Sequence, residues 1–176
     1  MYRYPLVRYF VRGGEAIIVG YEEGVEALMK IYPQLLAVKM GYTDYRVYDR
    51  SLKVGSVEFG LATKNLTYRF VSPWLALSQE NYLRFTGSSD ADKSELLSRI
   101  LIGNLISAAK GFSYTVPDRI MVKLNRLFPV QCRLKGVPVV GFRGSFNVNF
   151  TLPDLFGLGK SVSRGFGLVR PVKEGD

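Results

Sequence analysis

The sequence predicts an α+β fold in which helices cover one face of an antiparallel sheet. The order of elements is strands, helix, strands, helix, strands. Strands therefore follow strands, which does not suit the regular strand–helix alternation of a parallel, doubly wound sheet. Hydrophobic residues make up 47% and charged residues 22% of the 176. That composition gives a folded chain able to bury one good-sized core or two small units packed together.

Taken in order, Tyr4–Val11 alternates and is rich in Tyr, Val and Phe, so it reads as a strand. Arg12-Gly13-Gly14-Glu15 reads as a hairpin turn leading to a short strand, Ala16–Val19. Gly20–Tyr32 reads as a helix. Its acids Glu22, Glu23 and Glu26 sit at the positive end of the dipole, its apolar stripe is Val25, Leu28, Met29 and Tyr32, and Pro33 closes it. Leu35–Met40, Tyr45–Tyr48, Val54–Leu61 and Leu66–Val71 read as strands. Ser72–Leu77 reads as a loop that buries Trp74, and Thr86–Lys93 as a polar loop. Ser94–Lys110 gives the clearest helical signal, with Leu97, Leu101 and Leu105 at i, i+4 and i+8. Asp92 or Ser94 can cap its start and Gly111 can stop it. Asn104 interrupts the apolar face and reads as a buried structural amide. Beyond Asp118 the pattern is almost entirely β, with Ile120–Leu127, Val130–Leu134, Val137–Phe150 and Leu168–Val172 as strands.

Composition excludes several chemistries. The chain has no histidine, which removes histidine general bases, Ser-His-Asp triads and histidine-held metals together. Its one cysteine, Cys132, excludes a disulfide framework or a cysteine metal site within one chain and reads as a small core residue. No acidic metal cluster is evident, so no metal and no cofactor are expected. No apolar run approaches the roughly 20 residues a membrane span needs. Met1–Val11 carries Arg3 and Arg8 and lacks a signal-peptide core. A cytoplasmic protein is expected.

The net charge of +9 is unevenly placed. Residues 119–170 hold nine Lys/Arg against Asp154 alone, residues 1–14 add Arg3, Arg8 and Arg12, and residues 15–118 hold eleven bases and twelve acids. Segregation of this kind suggests a polyanion partner. The plainer alternative is a soluble basic protein from a heat-adapted source.

The basic third contains Leu152-Pro153-Asp154-Leu155-Phe156-Gly157-Leu158-Gly159-Lys160-Ser161-Val162-Ser163-Arg164-Gly165-Phe166-Gly167. Gly157, Gly159, Gly165 and Gly167 allow positive φ and close approach of backbone N–H groups to a ligand. Lys160 and Arg164 add charge, and Ser161 and Ser163 add short donors. Phe156 and Phe166 can anchor the loop inward or stack on bases. Gly159-Lys160-Ser161 matches the end of a Walker A loop. Asp154 stands where that motif needs glycine, however, and would repel a phosphate. A dinucleotide fingerprint fails because Val162 replaces the third glycine. Nucleotide binding through Gly-Lys-Ser and a purely structural glycine turn stay open beside nucleic-acid binding.

The Gly-x-Gly, five residues with embedded bases, Gly-x-Gly pattern resembles the C-terminal glycine-rich loop of the CRISPR-associated repeat-RNA endoribonucleases. These belong to the RAMP superfamily of ferredoxin-like RNA-binding proteins. Ser72-Pro73-Trp74-Leu75-Ala76-Leu77 and Ile100–Gly111 are similar to one branch of it, and the likeness covers about residues 66–170 well. The resemblance implies ferredoxin-like (RRM-like) halves over 1–62, incomplete, and 63–176, packed as one unit. It implies binding of CRISPR repeat or precursor RNA and metal-independent cleavage, in which a ribose 2′-OH attacks the adjacent phosphate. That chemistry needs a proton acceptor, a proton donor and a cation. Family members often place a histidine in or after the first helix. Here Lys30 and Tyr32 occupy that region and are the candidate catalytic residues, and a non-catalytic RNA-binding subunit is the alternative. The RNA-binding candidates are Gly157, Gly159, Lys160, Ser161, Ser163, Arg164, Gly165 and Gly167, followed by Arg143, Lys135 and Arg133 on the strands leading into the loop. Arg3, Arg8 and Arg12 join if the first strand pairs beside them. Further CRISPR-associated subunits and a homodimer are the other expected partners.

Overall fold

A computed structural model describes residues 4–172, apart from the side chain of Met40. Arg3 lies outside the described residues. The first strands, β1 (Val7–Arg12) and β2 (Glu15–Gly20), pair antiparallel from Val7↔Gly20 to Arg12↔Glu15. Gly13 (φ 59°) and Gly14 (φ 84°) supply the two positive-φ positions such a tight turn demands. Helix α1 (Glu23–Ile31) follows, with Glu23 and Glu26 in its first turn and Lys30 in its last. Pro33 lies in a short 3₁₀ turn, Tyr32–Gln34, that prolongs the helix. A second hairpin, β3 (Ala37–Met40) and β4 (Thr43–Arg46), closes this half.

The remainder is built on β5 (Gly60–Trp74), β6 (Val122–Leu134), β7 (Val137–Thr151), β8 (Phe156–Gly157) and β9 (Leu168–Pro171). They form one antiparallel sheet in the order β6-β7-β5-β9-β8. Two helices, α2 (Gln79–Thr86) and α3 (Asp90–Gly111), lie between β5 and β6 in sequence. Alternation puts Tyr68, Phe70, Phe142, Phe146, Val148 and Phe150 on the sheet face that buries against Leu97, Leu101 and Leu105 of α3. The antiparallel sheets and helices have the α+β form the sequence predicts and the ferredoxin-like form the family resemblance implies. Among the described residues no helix is long and apolar enough to cross a membrane.

Several boundaries differ from expectation for identifiable reasons. Residues 54–59 form no strand, because they have no ladder partner, and Val54 and Val57 are exposed. The Ser72–Leu77 loop is instead strand as far as Trp74, whose ring is fully buried with Nε1–H donating to Asn104 Oδ1 at 3.0 Å. Asn104 is thus the structural amide expected. Helix α2 occupies a stretch for which no element is expected and meets the polar loop only at Thr86, while α3 takes over that loop from Asp90; Ser78 caps α2 by accepting from the Asn81 amide. Ser89, rather than Asp92 or Ser94, caps α3 by accepting from the Asp92 amide. Gly111 still lies within α3, and Phe112 is the C-cap. A Cβ on Gly111 would overlap Cβ of Tyr4, so close packing rather than a left-handed turn requires glycine there. The strands predicted on either side of Pro129 are one strand, β6. It lies at the sheet edge, where a residue without an N–H is tolerated.

A candidate nucleic-acid interface at the glycine-rich loop

The loop between β8 and β9 is held from beneath by its own apolar side chains. Phe156, Leu158 and Val162 are 0–1% exposed. Tyr4 stacks on Phe156 with ring centroids 5.2 Å apart and donates its phenol to the Gly157 carbonyl at 2.8 Å. Phe156 is therefore an inward anchor. Five loop amides are consumed internally, those of Arg164 and Gly165 by Ser161 O and Val162 O at 2.9 and 3.0 Å. Leu158 N–H donates to Gly167 O at 2.9 Å, Lys160 N–H to Leu75 O at 3.2 Å and Gly167 N–H to Pro73 O at 2.8 Å. Gly159, Gly165 and Gly167 have φ of 90°, 80° and 67°. Side chains there would press on Trp74, on Phe10 and on the Leu158 carbonyl, and one at Gly157 would overlap Val162. The glycines thus serve close packing on β1 and β5, and the amides of Lys160 and Gly167 point to protein carbonyls.

The loop's polar side chains turn outward. Lys160 and Arg164 are exposed, and Ser161 and Ser163 are half-buried. Ser161 takes a left-handed φ of 56° to start a 3₁₀ turn, Val162–Arg164, which packs against β1. Lys160 Nζ rests on the Leu77 carbonyl at 3.0 Å, leaving two further donors of its ammonium. Among the described residues the ion pairs are Lys93–Asp90, Arg99–Glu95 and Arg170–Asp154, so neither loop cation is neutralised by a carboxylate. Asp154 is committed to Arg170 through two bonds of 2.7 Å. Those bonds hold its carboxyl below the usual range, against the opposing effect of burial.

The other sequence candidates lie on separate elements. Arg143 is exposed on β7 opposite Phe128. Arg133 and Lys135 lie at the far tip of the β6–β7 hairpin, five register positions on, or about 17 Å along the strand. Lys30 is exposed in the last turn of α1. Tyr32 follows it, its phenol donating to Arg50 O at 3.2 Å, while Arg50 lies over the ring and donates to the carbonyls of Tyr32 and Leu35. Arg12 is exposed.

Arg8 corrects an expectation. It is fully buried, because alternation turns it with Phe10 toward the loop, and it offers no surface charge. Its Nη2 donates to Tyr21 Oη at 2.7 Å and its guanidinium lies 5.0 and 5.5 Å from the Tyr21 and Phe156 rings, while Nε and Nη1 have no hydrogen-bond partner among the described residues. Burial pushes the Tyr21 phenol above its ordinary value, against the pull of this cation.

Comparison with known proteins adds to this geometry. An uncharacterised protein of Methanocaldococcus jannaschii is 41% identical over 130 residues, covering 74% of this chain and 88% of that protein. A crystal structure of Cas6b superposes with a TM-score of 0.90 at 32% identity, over 98% of this chain and 79% of that one. A structure described as the CRISPR RNA processing endoribonuclease Cas6b gives 0.79 at 33% identity, over 97% of this chain and 83% of that one. The models of the Cas6b N-terminal and C-terminal domains match residues 1–58 and 60–172, so this chain belongs to the Cas6b family of CRISPR-associated proteins.

Proposed function

We propose that this protein binds the repeat segment of precursor CRISPR RNA and cuts it without a metal ion. A ribose 2′-OH attacks the adjacent phosphate, leaving a 2′,3′-cyclic phosphate and a 5′-OH. Family membership supports the substrate, since a relative 33% identical is described as a CRISPR RNA processing endoribonuclease. The observation that carries the RNA contact is the pair of exposed, unneutralised cations Lys160 and Arg164 on a loop fixed from below by Phe156, Leu158 and Val162. A pre-formed cationic turn meets phosphates with little ordering cost. Gly157, Gly159, Gly165 and Gly167 act by shaping that turn, and Ser161 and Ser163 add hydrogen bonds to phosphate or ribose. Arg143 extends the contact, and Arg133 and Lys135 reach a more distant part of the same RNA.

For the chemistry, Lys30 supplies positive charge to the transition state or protonates the leaving oxygen, and Tyr32 is the alternative proton donor. In-line placement of the 2′-OH contributes the remainder. The absence of histidine favours a second reading, a subunit that grips repeat RNA uncut. Incubating repeat RNA with the protein in EDTA separates the two. Cleavage with a cyclic-phosphate end supports the enzyme, and a shifted but intact RNA supports the binder. Replacing Lys160 and Arg164 together with alanine is expected to weaken binding and to lower the salt dependence by about two phosphate contacts. An unchanged salt slope would count against the loop. The proposal places the protein in the cytoplasm, with further CRISPR-associated subunits or a second copy of itself as its protein partners.

A further inference from the structure

We infer that Arg50 seats one phosphate of the RNA beside Tyr32, and that the two act together in the cut, Arg50 as the cation and Tyr32 as the proton donor. The chain path brings them together. After α1 the backbone turns at Tyr32–Gln34, runs out along β3 and returns along β4. Val47 N–H donates to Leu36 O at 2.9 Å, so the returning chain lies beside the turn it left. Arg50 then reaches back over that turn. Its Nη1 donates to Tyr32 O at 2.7 Å and to Leu35 O at 3.0 Å, and its guanidinium lies 5.1 Å from the Tyr32 ring. The phenol returns the contact by donating to Arg50 O at 3.2 Å.

A guanidinium carries its five N–H donors in one rigid plane. The two carbonyls take both donors of Nη1 and so fix the plane. Nε and Nη2 have no acceptor among the described residues, and Arg50 is exposed. The edge they form can grip two oxygens of a phosphate in parallel. Arg170 uses the same edge, Nε and Nη2, on the carboxylate of Asp154. The plainer role for Arg50, capping the carbonyls that end the helix, needs Nη1 alone. The neighbouring acid, Asp49, turns an oxygen to the Arg50 amide at 2.7 Å and forms no ion pair with the guanidinium. Residues 30–53 hold Lys30, Lys39, Arg46, Arg50 and Lys53 against Asp44 and Asp49, so this region attracts an anion. Tyr32 is held through its carbonyl, ring and hydroxyl, as a reacting group must be, whereas no hydrogen bond or ion pair among the described residues holds the Lys30 ammonium. The phenol's bond is longer than the usual O–H···O distance of about 2.7–2.8 Å, so its proton is readily redirected.

The inference rests on the proposed cleavage of repeat RNA. In that step the 2′ oxygen bonds to phosphorus and its proton leaves to water. The bond from phosphorus to the 5′ oxygen breaks, the Tyr32 phenol protonates that oxygen, and water restores the phenol. Arg50 lies against the phosphate as its negative charge grows. The test measures single-turnover cleavage of repeat RNA in EDTA, and salt-dependent binding of the same RNA with 2′-fluoro riboses, which cannot attack. R50Q is expected to slow the cut about 10²–10³-fold and to lower the log–log salt slope by about 0.7, one phosphate contact. R50K keeps the charge without the fork, so its slope should match wild type while its rate falls between wild type and R50Q. Y32F leaves the carbonyl bonds of Arg50 in place and should slow the cut about 10²–10⁴-fold at an unchanged slope. A residue that only caps the turn has no bearing on the slope, so a wild-type slope in R50Q overturns the inference whatever the rate. If wild type binds the RNA but leaves it uncut, the cleavage reading fails and the slopes still decide the phosphate seat. If wild type binds neither RNA, the proposed function itself fails.

Discussion

Gly167→Ala tests whether the loop glycines serve packing. The glycine has φ 67°, and a Cβ there would overlap the Leu158 carbonyl oxygen, with the Leu158 amide nitrogen 3.2 Å away. The obstacle is backbone and no rotamer relieves it. A left-handed alanine costs about 1–2 kcal/mol. Relieving the overlap means pulling apart the two segments that the Leu158–Gly167 hydrogen bond joins. Losing that bond costs about 1 kcal/mol, and displacing the packed core beneath costs about 1–3. The sum is about 3–6 kcal/mol, or a fall in melting midpoint of roughly 6–24 °C for a chain this long. The assay is denaturant unfolding of both proteins, free of RNA, followed by two probes. A loss below about 1 kcal/mol would refute the packing account. The glycine would then be needed only when ligand is present.

Further outcomes follow from other sites. Gly103 is exposed within α3 with nothing near its missing side chain, so Gly103→Ala should raise stability by about 1 kcal/mol, seen as a higher denaturation midpoint. Arg8→Met removes a buried cation whose Nε and Nη1 are unpaired, and should leave stability unchanged or raise it by about 1–4 kcal/mol; a loss above 3 would show that the Tyr21 bond and the two rings outweigh its desolvation. Arg170 holds the Asp154 carboxyl below its ordinary value, so the pair contributes above the ordinary carboxylate range and that contribution fades as pH falls through the lowered value. Both groups are partly exposed, so Asp154→Asn should flatten the acid limb of the stability profile by less than about 1 kcal/mol. Tyr4→Phe removes the bond to Gly157 O and should cost about 1 kcal/mol by the same unfolding assay.

What the sequence made legible was local. Gly13-Gly14 between alternating runs marked the first hairpin, and Leu97, Leu101 and Leu105 marked the buried stripe of α3. Helix α2 escaped because it is short and none of its residues, Gln79 to Thr86, is fully buried, Phe85 resting only partly buried against Phe142; the Ser78 cap was the available sign. Val54–Leu61 looked like a strand because β propensity was present without a partner. The loop's cations were visible as a charge cluster. The role of its glycines was not, since Trp74 and Phe10, which fill the space a side chain would take, lie far away in sequence. The outward placement of Arg126 was hidden by a bulge. The register shift between Leu124 and Arg126 changes which residues of β6 face outward, bringing Arg126 to the same side as Lys123. Strict alternation would have assigned those two residues to opposite faces.

The sealed guanidinium of Arg8 has a consequence for how the molecule comes apart. It sits where the first strand meets the loop, pressed between Tyr21 and Phe156 beside Gly157. Water admitted there would bond two guanidinium nitrogens, Nε and Nη1, for which the described residues supply no acceptor, so hydration of the cation offsets part of the apolar surface lost on opening. On warming, this seam should be where solvent enters first, and amide exchange in β1 should accelerate before exchange in β5 and β7.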